Sequence, residues 1–560
     1  MNTLSFPELL RTIGGSKPVS ACVSAVRDGK FPLEIEGCEG AMGALLLARL
    51  YADRPGLYFA VVPQETDAAD LVLDLSAAGL DCIQFPWWGA APYRELAPVS
   101  AVFGERVRAL GNLALGKPGI VVIPERAFLT PLPPPEYIKS LLVSIKPGGK
   151  IDTAALAQML VSYGYTRVPR VQVHGEFALR GEVLDILMGG DYAAATAVAD
   201  AAVAYRILFD FDQVESIKRF DPMMQGSGPG RETLPELLIR PMREVVWTDE
   251  RIEVLEKNLA AFQEFNDDGK AIVEELITRR AAAGEEMFYP LAFEKSASLI
   301  EYLIPNSSRQ GAEAQRTQRK EGSKVRDSHY LSASELISEH SSNNPQSLIY
   351  SSSASSASSA PLRENIGNKA LGTLVLVDRE RLENAQESLN REYHSLYMRS
   401  RREGEQKREF PLPERLLLDF KNMIADYEAQ NAPRVISFKT IKSDPKPNVT
   451  RIDIPCDPSR SFFGNIMYLK DEFAALHAGG WHIAVAAESE VQAQRISTML
   501  APHDLLSIMP SPLSAGFSLP DIRFMLVQEN EIFGRRKRPP RSLKTARSAA
   551  IDTFIELNPG

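Results

Sequence analysis

The sequence predicts a soluble α/β protein of several domains, built around a parallel sheet covered on both faces. Three observations carry this. Short runs of four to seven apolar residues, LEIEG, LYFAVVP and GIVVIPE, alternate with amphipathic helical stretches such as ETDAADLVLDLSAAGL, which is how strands buried on both faces read when helices connect them. A chain of 560 residues with 44% apolar residues exceeds one hydrophobic core and divides into three or four domains of ordinary size. No window approaches ~18 uninterrupted apolar residues, and MNTLSFPELLRTIGG lacks the basic and apolar regions of a secretory leader, so a cytoplasmic location without a membrane partner is expected.

The first α/β unit covers residues 1–148, its helices and strands punctuated at the end by PLPPPEY, where consecutive prolines forbid helix. From 149 to 224 the pattern changes to one helix, TAALAQMLVSYGY, and three strand candidates, GEFALRGEVLDILM, VAYRILFDFD and VESIKRF. That order reads as an antiparallel meander with one helix, a small α+β module with a sheet face open to a partner. Residues 225–430 return to the first unit, with a long helical reading after Met242, a strand at LGTLVLVDRE and a charged helix at RLENAQESLNREYHSLYMRSRREGE. The stretch 306–368 interrupts it with Ser-rich text, including SSSASSASSA, too poor in apolar side chains to offset the entropy of ordering, and is expected to be a disordered insertion. A second, smaller α/β domain is read at 433–529 from RVISF, HIAVAA and IRFMLVQE. Residues 530–560 contain GRRKRPPRSLKTAR, from Gly534, whose seven basic residues and double proline make a solvated linker.

Charge and cysteine usage narrow the function. With 63 basic against 72 acidic residues, a surface that coats itself with nucleic-acid phosphates is not expected. The four cysteines form no C-x-x-C pair, which leaves neither a zinc knuckle nor a disulfide framework. The seven histidines show no H-E-x-x-H and the chain has no G-x-S-x-G elbow, so no catalytic or metal residue is proposed.

A nucleotide loop is present in outline only. Between the strand LEIE and the helix ALLLARL, residues 37–44 read Gly-Cys-Glu-Gly-Ala-Met-Gly-Ala, in the place of G-x-x-x-x-G-K-[ST]. Gly37 and Gly40 keep the loop glycine-rich. Met42 stands for the second glycine, Gly43 for the lysine that reaches the phosphates and Ala44 for the hydroxyl that holds magnesium. Each lost charge-assisted contact is worth about 1.5–3 kcal/mol. The strand LVLV ends at Asp378 as a Walker B segment does, but Arg379 follows where an acid would activate water. Either feature alone is compatible with an ordinary strand-to-helix turn; two emptied motifs in the correct order make a degenerate, ATPase-dead nucleotide fold the better reading.

The strings GEFALRGEVLDI, ESIKRFDP, FPWWGAAPYRELAP, LVLVDRERL and FPLPERLLLDF resemble the bacterial transcription-repair coupling factors, the Mfd family, over essentially the whole chain apart from the insertion. In that family the N-terminal third is similar to the excision-repair protein UvrB without its ATPase, and the meander resembles the module that binds UvrA. The resemblance implies UvrA as partner, with Arg167 and Arg180 as anchors and Glu176, Phe177, Gly181 and Asp185 nearby. By strand alternation Phe177 and Arg180 point to opposite faces unless the strand is bulged. Arg180 beside Gly181 within a strand could present its planar fork to a carboxylate. The Ser-rich insertion departs from the family, as does QGSGPG at 225–230. The chain stops at FIELNPG, where the polymerase-interaction module would begin. RNA polymerase, double-stranded DNA, ATP and magnesium are therefore expected to be met only through domains outside these residues, and no cofactor is expected within them. The alternatives are an ATP-driven helicase or translocase, if the chain is a piece of its parent, and an unrelated α/β binding module.

Overall fold

A computed structural model describes residues 2–93, 100–191, 203–222, 233–260, 267–304, 371–403, 411–439, 447–462, 464–500 and 506–534. The Ser-rich stretch 306–368 and the basic run from Arg535 onward lie outside them.

The largest layer is a seven-stranded parallel sheet in the order Thr450–Asp453, Leu33–Glu36, Val435–Lys439, Thr373–Val377, Leu57–Val62, Gly119–Pro124, Ile83–Gln84. Period-2 alternation splits its apolar runs between two cores. Ile35, Tyr58, Ala60, Val122, Val375 and Ile436 pack under helices Lys17–Arg27, Met42–Asp53 and Glu65–Ala77. Phe59, Val61, Val121, Ile123, Leu374 and Leu376 pack on the opposite side under helices that include Asp249–Ala260 and Phe420–Glu428. No helix among the described residues is long and apolar enough to cross a membrane.

The strand of RVISF corrects the domain boundary read at 433. Val435–Lys439 lies between Leu33–Glu36 and Thr373–Val377 in the large sheet, and Thr450–Asp453 adds to the same sheet's edge. The run specifies a buried strand, but in a parallel sheet nothing within one strand specifies its neighbour. The second sheet takes in residues from 457 onward, in the order Asn2–Thr3, Leu506–Met509, His482–Ala486, Phe524–Gln528, Phe517–Leu519, Asp457–Pro458. Its N-terminal edge strand comes from the start of the chain, with Asn2 opposite Ser507.

The module read at 149–224 is a five-stranded sheet in the order Gln213–Phe220, Ala204–Asp210, Val183–Leu187, Glu176–Arg180, Thr166–Arg167, with helix Thr153–Ser162 capped by the Asp152 carboxylate on the Ala154 and Ala155 amides. It is wider than expected at both ends. Val143–Ile145 pairs with Leu237–Ile239, and Ile145, Leu237 and Ile239 belong to the module's own core. The module abuts helix Ser100–Ala114 through backbone: a Cβ on Gly104 would lie 2.5 Å from the Gly189 Cα. Arg108 Nη1 donates to the Gly190 carbonyl at 2.7 Å and Arg240 Nη2 to Asp191 Oδ1 at 2.5 Å.

The large sheet also hides an acid. Glu125 follows strand Gly119–Pro124 and is wholly buried, and among the described residues neither of its carboxylate oxygens has a hydrogen-bond partner. Burial pushes its carboxyl from the ordinary 4.5 up to about 8. Because the folded pKa is raised, the native state holds the proton more tightly between those values and stability falls as pH rises through that window. Glu125→Gln should therefore melt higher than the parent chain at pH 8 and nearly level with it at pH 4.5, a difference that thermal melts across the range would measure.

Candidate protein-interaction surface

Alternation along the five-stranded sheet decides which residues a partner can reach. Phe177, Leu184, Ile186, Tyr205, Ile207 and Ile217 turn towards helix Thr153–Ser162 and form its core with Leu156 and Leu160. The other face carries Ala178, Arg180, Asp185, Leu187, Ala204, Arg206 and Phe220, the cross-strand register setting Ala178 and Arg206 on either side of Asp185. A small apolar cluster of Val171, Ala178, Leu187 and Ala204 covers one end of this face.

Its centre is a carboxylate shared by two arginines. Arg206 donates in bidentate fashion, Nε to Asp185 Oδ1 at 2.7 Å and Nη2 to Oδ2 at 2.9 Å, while Arg180 Nη2 reaches the same Oδ2 at 2.7 Å. The Asp185 side chain is 1% exposed, that of Arg206 30% and that of Arg180 49%. The buried acid thus holds two guanidinium groups whose outer edges remain open. The Arg206 guanidinium also lies 4.7 Å from the Phe220 ring centroid, and its bond to Asp185 raises its pKa above the ordinary value. A surface so built offers planar donors, fixed in advance, to a carboxylate or backbone carbonyl.

The residues named from sequence separate accordingly. Arg180, Asp185 and Glu176 share the open face, but Asp185 supports the arginines from below and is too buried to be a contact. Glu176 Oε2 accepts the amides of Gln172 and Val173 at 2.7 and 3.0 Å and so closes the preceding loop. Phe177 is fully buried on the helix side, as the alternation requires. Arg167 is exposed on the edge strand, in register with Phe177 and therefore away from Arg180. Gly181 is not inside a strand: GEFALRGEVLDILM is a hairpin whose strands Glu176–Arg180 and Val183–Leu187 turn at Gly181, φ 57°. An αL position at a tight turn needs glycine, so the residue aims Arg180 at the hairpin tip. Two residues escaped the sequence reading. Arg206 was signalled by a lone arginine between the inward-facing Tyr205 and Ile207; Phe211, 83% exposed, sits at the turn between the last two strands with φ 54°.

The glycine-rich loop at 37–44 is occupied by protein. Gly37 and Gly40 have φ 77° and 54°, and the Ala41 amide donates to the Ala515 carbonyl at 3.1 Å. A Cβ on Gly40 would come within 2.2 Å of the Gly516 carbonyl oxygen, and one on Gly37 within 2.3 Å of that of Ile454. Met42 and Ala44 are buried, whereas a Cβ on Gly43 would meet only the Cys38 Cβ, at 3.9 Å. Asp378, φ 57°, accepts the Arg381 amide at the start of helix Arg379–Glu403. Arg379 pairs with Glu383 and Glu428 at 3.3 Å. Among the described residues no group of three or more His, Cys, Asp or Glu side chains is arranged to hold a metal ion.

The UvrB interaction domain family matches residues 143–244, limits close to those that the Val143–Ile145 and Leu237–Ile239 pairing gives the module. Over the wider chain, the transcription-repair-coupling factor of Borreliella burgdorferi is 22% identical across 93% of this chain and 38% of its own length. That of Bacillus subtilis is 24% identical across 81% and 34%, and that of Haemophilus influenzae 28% identical across 46% and 22%. The chain thus spans less than two fifths of the length of these curated relatives. It carries a region like the N-terminal part of the transcription-repair-coupling factors, in agreement with the sequence strings.

Proposed function

We propose that this chain is a non-catalytic scaffold of transcription-coupled nucleotide excision repair whose 143–244 module captures UvrA. The observation that carries the reading is the Asp185-held pair Arg180 and Arg206 on the open face of the region similar to the UvrB interaction domain. Purified UvrA should be retained by the immobilised chain without ATP. Arg180→Ala should weaken retention by ~2 kcal/mol, roughly thirtyfold, with the melting temperature little changed because half of that side chain is in solvent. No retention by the intact chain sinks the scaffold; equal retention by the variant removes the anchor.

The same reading makes the 37–44 loop a degenerate phosphate loop. Its amide at Ala41 is spent on Ala515, and neither Gly43 nor Ala44 supplies a phosphate or magnesium ligand. Calorimetric titration with magnesium and ATP should give no site tighter than ~100 μM. Displacement of RNA polymerase and movement along double-stranded DNA would belong to parts of the relatives that this chain does not span.

A further inference from the structure

At the end of the large sheet opposite the 37–44 loop, where strands Leu57–Val62, Thr373–Val377 and Val435–Lys439 begin, a cleft of about 250 Å³ opens between Arg54, Tyr58, Tyr302, Thr373 and Arg434. Both arginines are half-buried. Among the described residues neither guanidinium has a carboxylate partner within salt-bridge distance; the adjacent acid, Asp53, is bound to Arg27. Arg54 spends one Nη1 hydrogen bond on the Val26 carbonyl at 2.9 Å. Both arginines line the same cleft, and the pKa of Arg434 is lowered, first by burial and then by the charge of Arg54.

Like charges brought together without a counter-charge repel more strongly as water is withdrawn, and such a site is relieved by an anion that accepts from both forks. Thr373 also lines the cleft, while the Gly56 carbonyl and the Gly372 amide and carbonyl are already bonded to Gly119, Leu303 and Tyr427, which leaves the two arginines as its charged groups. The volume holds several waters at ~30 Å³ each, yet falls below the ~300 Å³ at which pockets for drug-sized ligands begin. We propose that this cleft binds a small phosphate-class oxyanion, of orthophosphate or pyrophosphate size, between Arg54 and Arg434. The site is independent of the UvrA-binding face and of the glycine-rich loop.

The test is calorimetric titration of the full chain with pyrophosphate and with orthophosphate, beside Arg434→Gln and Arg434→Lys. Saturable pyrophosphate binding is expected, weakened at least ~tenfold by Arg434→Gln and less by Arg434→Lys, which keeps the charge but loses the fork. Pyrophosphate should also raise the melting temperature of the parent chain and not that of Arg434→Gln, since a ligand that binds only the folded state stabilises it. Absence of saturable heat up to roughly 10 mM pyrophosphate, or equal binding by Arg434→Gln, overturns the proposal. Binding of a short DNA duplex that depends on Arg434, with none of pyrophosphate, would overturn it too, in favour of a nucleic-acid backbone.

Discussion

Glu244→Ala is expected to destabilise the chain by about 3–5 kcal/mol, a large fraction of the ~5–15 kcal/mol that holds an ordinary domain folded. Glu244 accepts from Arg106 Nε in a pair that is 1% and 0% exposed. The Arg106 guanidinium lies over Trp88 at 4.0 Å and Phe85 at 4.6 Å and donates through Nη1 to the Pro86 carbonyl at 2.6 Å. Burial pushes the Glu244 carboxyl up while the arginine charge pulls it down; removing the acid leaves a bare guanidinium among aromatic rings. Urea melts of the two proteins measure the difference, and a loss below ~1 kcal/mol would show that the pair contributes little.

If the module captures UvrA as proposed, Asp185→Ala should abolish that capture and lower stability together. Both arginines lose the acceptor that orients them, and two like charges are left on the two strands that flank its own. A loss of about 3 kcal/mol in stability is expected from leaving that cluster without its acid, with binding reduced more than roughly a hundredfold because both forks swing free. Asp185→Asn separates the effects: it keeps one acceptor oxygen, so the fold should be largely retained while binding still falls. Circular dichroism melts beside pull-downs read the two quantities. Intact capture by a folded Asp185→Ala chain would mean that the arginines need no organiser.

Much of this surface was legible in the strand pattern. Alternating Phe177, Leu179 against Ala178, Arg180 fixes the faces whatever the sheet's neighbours are, because a strand's side-chain period is two. The burial of Asp185 was not legible, since it depends on Arg206 arriving from a later strand of the sheet. The hairpin was read as one strand because Leu179 and Val183 continue the apolar text across Gly181, whose positive φ is a property of the backbone alone. For the large sheet, each run of Val, Ile and Leu announced a strand; the neighbours of Val435–Lys439, Leu33–Glu36 and Thr373–Val377, come from distant parts of the chain and are not written in its own residues.

The seam between the module and helix Ser100–Ala114 has a mechanical consequence. Gly104 and Gly189 meet backbone to backbone, and Arg108 bridges the same corner to Gly190, while Arg240 holds the next residue, Asp191, from within the module. Where Gly104 and Gly189 meet, no side chain lies between the two backbones to compress. A pull exerted by a bound protein on the outer arginines would be carried across the strands to that corner and passed to the body as torque, making the module a rigid handle.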